Sequence, residues 1–401
     1  SKAGLASAMP QSGGFYVYAE RTYGHLVGTI SGLGLFASFM LKSAFALVGF
    51  AAYMAVITEH FGINNLDANA VAMVLLVFIL IVNLTGVKAI KKVQVPIVTG
   101  AVAMVVVLCI MALFSGDFDA GRPVEDFQPV SLSMGTAAAL VFVAFSGAIK
   151  VGAIGGEVLD PETNLPRGMI QSLFIATLLY AVVAYIMVGV MDPDWYMVDG
   201  HAVENPITVF ADSVAGTAVV LIASLVAIIA MASMALAGVL SSSRFIYAMA
   251  IDGVLPAPLG DLNERYKTPH WPILLTGLLM AVSIYSFDVH VIAELASGFI
   301  LMVFIVLNLT VVVLRGAGPS HAWDPPYRSP LYPLPQIYGT VAGIAMLVLM
   351  GEKALYGGSG AILLGVLAWY AYGRRNVQPR DGPTPLSAFL SRGESASDDE
   401  E

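Results

Sequence analysis

The sequence predicts an all-α, polytopic membrane protein. Of its 401 residues, 58% are hydrophobic and 12% are charged, whereas about a quarter of the residues of a soluble domain are charged. The apolar runs are about 20 residues long, which is the length that crosses a bilayer as a helix, and they lack the alternation of a transmembrane strand. Because lipid offers no hydrogen bonds, the backbone of such runs must be satisfied within helices.

Ten apolar stretches are candidates for membrane spans. The first is long enough to be strongly tilted or to continue outside the lipid, and the last two are the shortest. An even number of spans places both chain ends on one side of the membrane. The predicted spans are 26–57, 69–86, 94–114, 134–156, 169–191, 216–240, 271–287, 291–314, 336–351 and 359–373.

The basic residues orient these spans, because Lys and Arg are enriched in cytoplasmic loops. If the chain starts in the cytoplasm, the outer loops receive only Arg122 and Lys353, and Lys42 and Lys150 lie inside spans. All other basic residues then face the cytoplasm. We therefore expect a multi-pass protein of the plasma membrane with both chain ends cytoplasmic.

The two ends of the chain differ in composition. Residues 1–10 resemble the end of an apolar helix and are too short to span a bilayer, so we expect the chain to begin inside a transmembrane helix; residues 11–24 form a polar loop. We assign residues 1–375 to one transmembrane domain and residues 376–401 to an acidic cytoplasmic tail. We expect the whole tail to be disordered, since its end, 394–401, is acidic and Ser-containing.

The span 134–156 contains four glycines in its second half: Gly147, Gly152, Gly155 and Gly156. Glycine weakens a helix, and a broken helix in lipid is tolerated where it lines a cavity or is buried in protein. Secondary transporters use such breaks to expose backbone groups to substrate and ions. The alternative is that these glycines only allow helices to approach closely. The Ser146–Gly147 pair beside Phe145 favours a break.

Lys42 and Lys150 are the charged residues placed well inside spans, where a charge is costly and indicates function. Each is a candidate to pair with a substrate carboxylate, or to occupy the place of a coupling cation and change its protonation. The alternative is a lysine whose ammonium reaches the membrane interface. The sequence lacks the spacing of a metal, nucleophile or cofactor site, and the single Cys109 lies inside a span. We expect neither an enzyme nor a nucleic-acid-binding protein.

Five segments together resemble amino acid permeases of the amino acid–polyamine–organocation superfamily. They occur in the order found in that family and reach from about residue 1 to residue 375. The segments are 9–18 (MPQSGGFYVY) with Arg21 and Gly24, 145–147 followed by 157–167 (EVLDPETNLPR), 243–256 (SRFIYAMAIDGVLP), 265–269 (RYKTP) and 327–335 (YRSPLYPLP).

The resemblance implies a fold of twelve helices, of which the first ten form two inverted repeats with broken first and sixth helices. The chain would then contain the end of helix two and helices three to twelve, without the first helix and its half of the substrate site. The implied substrate-binding residues are Phe145, Ser146, Gly147 and Ala148 on the sixth helix, and Ser38, Phe39 and Ser43 on the third. Ser233 is a candidate cation ligand on the eighth. The fifth helix, 94–114, lacks the lysine that some proton-coupled members carry there.

These observations predict a secondary transporter that moves amino acids by alternating access, driven by H⁺ or Na⁺ or running as exchange. A polyamine or organic amine carrier is the alternative within transport, although a cationic substrate calls for a deep carboxylate, which the spans lack. A channel, receptor or scaffold would explain the helices but not the permease-like segments. The sequence does not predict the amino acid or the oligomeric state.

Overall fold

The chain folds into a bundle of helices. A computed structural model describes residues 1–9, 14–63, 67–86, 90–125, 131–149, 152, 158–192, 194–198, 201–317, 325–377 and 384–390. The helices are α1 Lys2–Ala8, α2 Phe15–Tyr23, α3 His25–His60, α4 Ala68–Thr85, α5 Ile90–Phe114, α6 Leu132–Phe145, α7 Pro161–Val190, α8 Pro206–Ala215, α9 Thr217–Ile251, α10 His270–Ser286, α11 Val289–Gly316, α12 Leu334–Leu349 and α13 Glu352–Ala368. Two short antiparallel strands, β1 Met197–Val198 and β2 His201–Ala202, lie between α7 and α8.

The helices agree with the predicted spans. Seven are long and apolar enough to cross a membrane, and three of the shorter apolar helices, α6, α10 and α12, fall on the remaining predicted spans. The first predicted span lies within α3, a single helix of 36 residues. At 1.5 Å per residue α3 is about 54 Å long, well beyond the ~30 Å hydrocarbon layer. The prediction of an all-helical polytopic membrane protein is confirmed.

Two helices lie where the sequence predicted loops. The segment 11–24 contains α2, which is flanked by Gly14 and Gly24 at positive φ and buries Phe15, Tyr16 and Tyr18. Burial and the neighbouring Asp252 carboxylate raise the pKa of the Tyr16 hydroxyl, which therefore stays protonated. The second is α8, which is too short to span a bilayer and starts with a proline at its first position. A search for apolar spans detects neither, because α2 contains several polar residues and α8, although apolar, has only 10 residues.

Four helices form a mutually packed group, in which α3, α4, α9 and α10 each contact the other three. Helix α11 packs against α3, α12 and α13 and is the most deeply buried of the long helices. Helix lengths recur in the same order along the chain: 36, 18 and 25 residues in α3, α4 and α5, and 35, 17 and 28 residues in α9, α10 and α11. This recurrence agrees with the two repeats that the resemblance implied.

The crossing of α3 and α9 leaves no space at Gly238. A Cβ atom built on Gly238 would overlap the Oγ atom of Ser43 and lie 2.9 Å from its Cβ. Ser43 Oγ donates a hydrogen bond of 2.8 Å to the carbonyl of Phe39 one turn earlier, so its hydroxyl is satisfied inside α3. Small residues allow close approach of helix backbones in lipid, and Gly238 allows it here.

We predict that Gly238→Ala destabilises the protein by about 1–3 kcal/mol, because an added methyl group must displace the α3 backbone or Ser43. Gly100→Ala is the matched control, since a Cβ at Gly100 meets nothing within 4 Å and alanine favours a helix over glycine by roughly 0.5–1 kcal/mol. Thermal unfolding in detergent measures both. Adding Ser43→Ala should recover part of the loss. Equal unfolding temperatures for Gly238→Ala and Gly100→Ala would contradict this account of the crossing.

Candidate functional site

Helix α6 ends where the glycine pattern predicted a break. Its last residue is Phe145, and a 3₁₀ turn, Ser146–Ile149, follows. The final carbonyl groups of an α-helix lack α-helical partners, and a short 3₁₀ turn satisfies them with poorer geometry. A Cβ atom at Gly147 would meet nothing within 4 Å, so close helix packing does not require glycine here. The turn therefore borders open space at Gly147.

Lys42 of α3 reaches this turn. Its Nζ atom donates a hydrogen bond to Ser146 Oγ, and both side chains are buried, at 6% and 2% exposure. The ammonium also lies 5.6 Å from the centre of the Phe39 ring. A cation is favourable beside the C-terminal end of a helix, which carries partial negative charge. The structure thus brings together three predicted residues, Lys42, Phe39 and Ser146, at the end of α6.

The other predicted residues of α3 contact neighbouring helices. Ser38 Oγ donates to the carbonyl of Ala296 in α11 at 2.8 Å, and Ser43 lies against α9 at Gly238. The Phe39 ring stacks on Phe245 of α9 with centroids 5.6 Å apart. Ser38, Phe39 and Ser43 therefore join α3 to α11 and α9. Lys42 donates a hydrogen bond to the first residue of the break.

Aromatic side chains surround the end of α6. The Phe145 ring packs edge-on against Tyr180 of α7, with ring centroids 5.1 Å apart. The Phe142 ring packs in the same way against Phe304 of α11, with ring centroids 5.2 Å apart. A cavity of about 420 Å³ borders the rings of Phe142, Phe145 and Phe304. Its volume is in the range of small-molecule sites. Its lining includes Phe142, Phe145, Leu173, Phe304, Asn308 and Tyr338. Sequence reasoning missed the residues of α7, α11 and α12, because they lie far along the chain and show no distinctive pattern. It also counted Lys2 among the cytoplasmic residues, whereas Lys2 lines this cavity with its ammonium over the Phe304 ring.

Ser233 lies apart from this group. It lines a separate, mostly apolar cavity of about 230 Å³ between α4, α5 and α9, together with Gln94 and Ile228. Lys150 and the side chain of Ala148 are outside the described part of the chain. Among the described residues, no group of three His, Cys, Asp or Glu side chains could hold a metal ion. The contacts available for a ligand at the α6 break are therefore hydroxyl, ammonium, aromatic and backbone groups.

Comparison with known proteins assigns the chain to a family. The sequence profile described as "Amino acid permease" matches residues 3–369. The chain belongs to the amino acid permease family. Members of this family and the relatives of this permease are transporters rather than enzymes, so this chain is a multi-pass transport protein of a membrane.

Three curated relatives match most of this permease. The branched-chain amino acid permease BcaP of Bacillus subtilis is 26% identical over 80% of this chain and 71% of its own length. The branched-chain amino acid permease BcaP of Lactococcus lactis is 25% identical over 92% of this chain and 83% of its own length. The serine/threonine exchanger SteT of Bacillus subtilis is 23% identical over 82% of this chain and 74% of its own length.

We predict that Ser146→Ala destabilises this permease by about 1–3 kcal/mol, because it removes a buried acceptor of the Lys42 ammonium. Lys42→Met alone leaves the Ser146 hydroxyl without that donor, and the double variant removes both partners. A double-mutant cycle of unfolding temperatures in detergent should show coupling between the two positions. Strictly additive effects would mean that the contact contributes nothing to stability.

Proposed function

We propose that this permease carries amino acids across the cell membrane by secondary active transport with alternating access. The substrate binds at the end of α6, beside Ser146 and Gly147, and Lys42 is part of the same site. The observation that carries this proposal is the hydrogen bond from the buried Lys42 ammonium to Ser146 at the first residue of the 3₁₀ turn. Family membership supplies the class of substrate.

The geometry of the turn supports binding of the common part of an amino acid. An α-amino group needs hydrogen-bond acceptors and an α-carboxylate needs donors, and interrupted helices in transporters offer free carbonyl and N–H groups to both. Phe145 stands at the edge of the bordering cavity and fits the role of contacting an apolar side chain. The relatives named for branched-chain amino acids and for serine and threonine support a neutral amino acid as substrate.

We assign Lys42 the place of a coupling cation. The C-terminal end of a broken helix is where transporters coordinate Na⁺, and in this chain an ammonium lies beside that end. A resident ammonium removes the need for Na⁺ and allows proton coupling, because a buried lysine can lose its proton. The same charge disfavours the alternative of a polyamine carrier, since a second cation beside it would be repelled.

The charge distribution supports an orientation with both chain ends in the cytoplasm. The end of α11 carries Arg315, and the chain that follows α13 carries Arg374 and Arg375. These positions lie on the same side of the bundle as the end of α9. Positive charge is enriched in cytoplasmic segments. We call this side the basic end and assign it to the cytoplasm.

Uptake of labelled neutral amino acids into proteoliposomes tests the substrate site. We expect saturable uptake by the full-length protein, and at least about a tenfold loss in Gly147→Val, equivalent to ~1.4 kcal/mol, because the valine side chain fills the space at the turn. Gly100→Val is the control at an open glycine remote from α6 and should retain uptake. Non-saturable flux would indicate a channel, and full uptake by Gly147→Val at unchanged thermal stability would place the substrate elsewhere.

A second measurement tests the role of Lys42. An inward proton gradient should drive uptake in the absence of Na⁺, and Lys42→Ala should abolish that dependence on the gradient while retaining exchange of internal for external substrate. Lys42→Arg is the matched variant that keeps the charge but resists deprotonation, so it should also lose proton-driven accumulation. A requirement for Na⁺ in the unmodified protein would contradict the assignment.

A further inference from the structure

The cavity of about 420 Å³ beside the end of α6 contains a charged side chain that the proposed transport site does not use. Lys2 lines this cavity, and its ammonium lies over the face of the Phe304 ring of α11. Helix α1 packs along α7, and its residues Leu5 and Ala6 are fully buried. The packing of α1 therefore fixes the position from which Lys2 enters the cavity.

The charge of Lys2 has no counter-charge among the residues that the structure describes. No described carboxylate lies within ion-pair distance of the Lys2 ammonium, and none of the described residues that line the cavity is acidic. A cation gains some stabilisation from the face of an aromatic ring, but an ammonium withdrawn from water without a carboxylate remains costly. A ligand that brings a negative charge into the cavity would remove part of that cost.

A neutral hydrogen-bonding side chain lines the same cavity. Asn308 of α11 is 8% exposed and lies against α12 at Gly339, where a built Cβ atom would be 2.6 Å from Asn308 Nδ2. Gly339 therefore leaves the space that this amide occupies. The Asn308 side chain makes no hydrogen bond with another described residue. Its N–H groups are thus available to an oxygen atom of a ligand.

The other walls of the cavity are largely apolar. They include Phe142, Phe145, Met169, Leu173, Leu301 and Met346. Small-molecule sites typically combine such apolar walls with a few polar groups that fix the orientation of the ligand. An ammonium, an amide and apolar walls together suit a molecule with a carboxylate at one end and an apolar body. An amine without a carboxylate would be repelled by Lys2.

We propose that this cavity binds a small apolar carboxylate, whose charged group is held by Lys2 and Asn308. The Lys2 ammonium donates a charge-assisted hydrogen bond to one carboxylate oxygen, the Asn308 amide donates to the other, and the apolar body lies against Phe145 and Leu173. One source of such a group is the α-carboxylate of the transported amino acid, and in that case the proposal rests on the proposed function. The other source is a free carboxylic acid that modulates transport.

Calorimetric titration of the full-length protein in detergent tests the site without transport. The probe is isocaproate, which is leucine without its amino group, and isocaproamide is its uncharged counterpart. We expect the unmodified protein to bind isocaproate about tenfold or more tightly than isocaproamide, because a hydrogen bond to a charged group is at stake. Lys2→Met should remove that preference and Lys2→Arg should keep it. Lys353→Met, at an exposed lysine paired with Glu294, is the control and should bind as the unmodified protein does.

Equal binding of the acid and the amide by the unmodified protein, or no binding of isocaproate, would overturn the proposal even if Lys2→Met failed to fold. Isocaproate affinity that is unchanged in a folded Lys2→Met variant would overturn it as well. Because these titrations require no transport, they decide the carboxylate site even if the proposed function fails.

Uptake of labelled leucine into proteoliposomes distinguishes the two sources of the carboxylate. If Lys2 holds the carboxylate of the substrate, Lys2→Met should raise KM about tenfold at an unchanged maximal rate, and isocaproate should compete with leucine. If a separate acid occupies the cavity, isocaproate should lower the maximal rate without changing KM, and Lys2→Met should abolish this inhibition. Either result upholds the carboxylate site, whereas inhibition by isocaproate that persists fully in Lys2→Met contradicts it.

Discussion

The absence of hydrogen-bonding solvent is the constraint on which this structure depends. In lipid a polar group depends on a partner within the protein. Among the described residues the buried Ser31 hydroxyl has none, and the hydrogen-bonded hydroxyl groups of the spans find theirs in two ways. Most return to the carbonyl group one turn earlier in their own helix, as Ser43, Thr276 and Thr310 do. Ser38 instead donates to a carbonyl of α11, and Ser146 accepts from Lys42. These two hydrogen bonds connect α3 with α11 and with the turn that follows α6.

The same constraint gives the end of α6 its chemistry. A helix that stops inside the bundle leaves its last carbonyl groups without α-helical hydrogen bonds. A positive charge beside them interacts favourably with their partial negative charge. Lys42 provides that charge from a neighbouring helix. Its cost of burial is offset by the helix end and by the hydroxyl of Ser146.

Hydropathy predicted the positions of the long apolar helices because lipid selects apolar segments of fixed length. Gly147 predicted the break, since glycine weakens a helix locally whatever surrounds it. The partner of Lys42 could not be predicted, because Ser146 lies 104 positions away along the chain. Neither segment has a sequence pattern that indicates that the two side chains are in contact. The serines of α3 illustrate the same limit, because Ser38 and Ser43 have similar sequence surroundings and contact different helices. The short helices α2 and α8 were missed because α2 has the polar composition of a loop and α8, although apolar, is too short to be recognised as a span.

The overlap avoided at Gly238 has a consequence for the study of motion in this permease. At Gly238, helices α3 and α9 approach so closely that only backbone and the small side chain of Ser43 lie between them, and this point of the crossing has no free space in which one helix could slide or rotate against the other. We therefore expect α3 and α9 to move together as one rigid unit. Labels attached to α3 and α9 near their crossing should keep a constant separation throughout the transport cycle, and displacements of the other helices can be measured against that fixed axis.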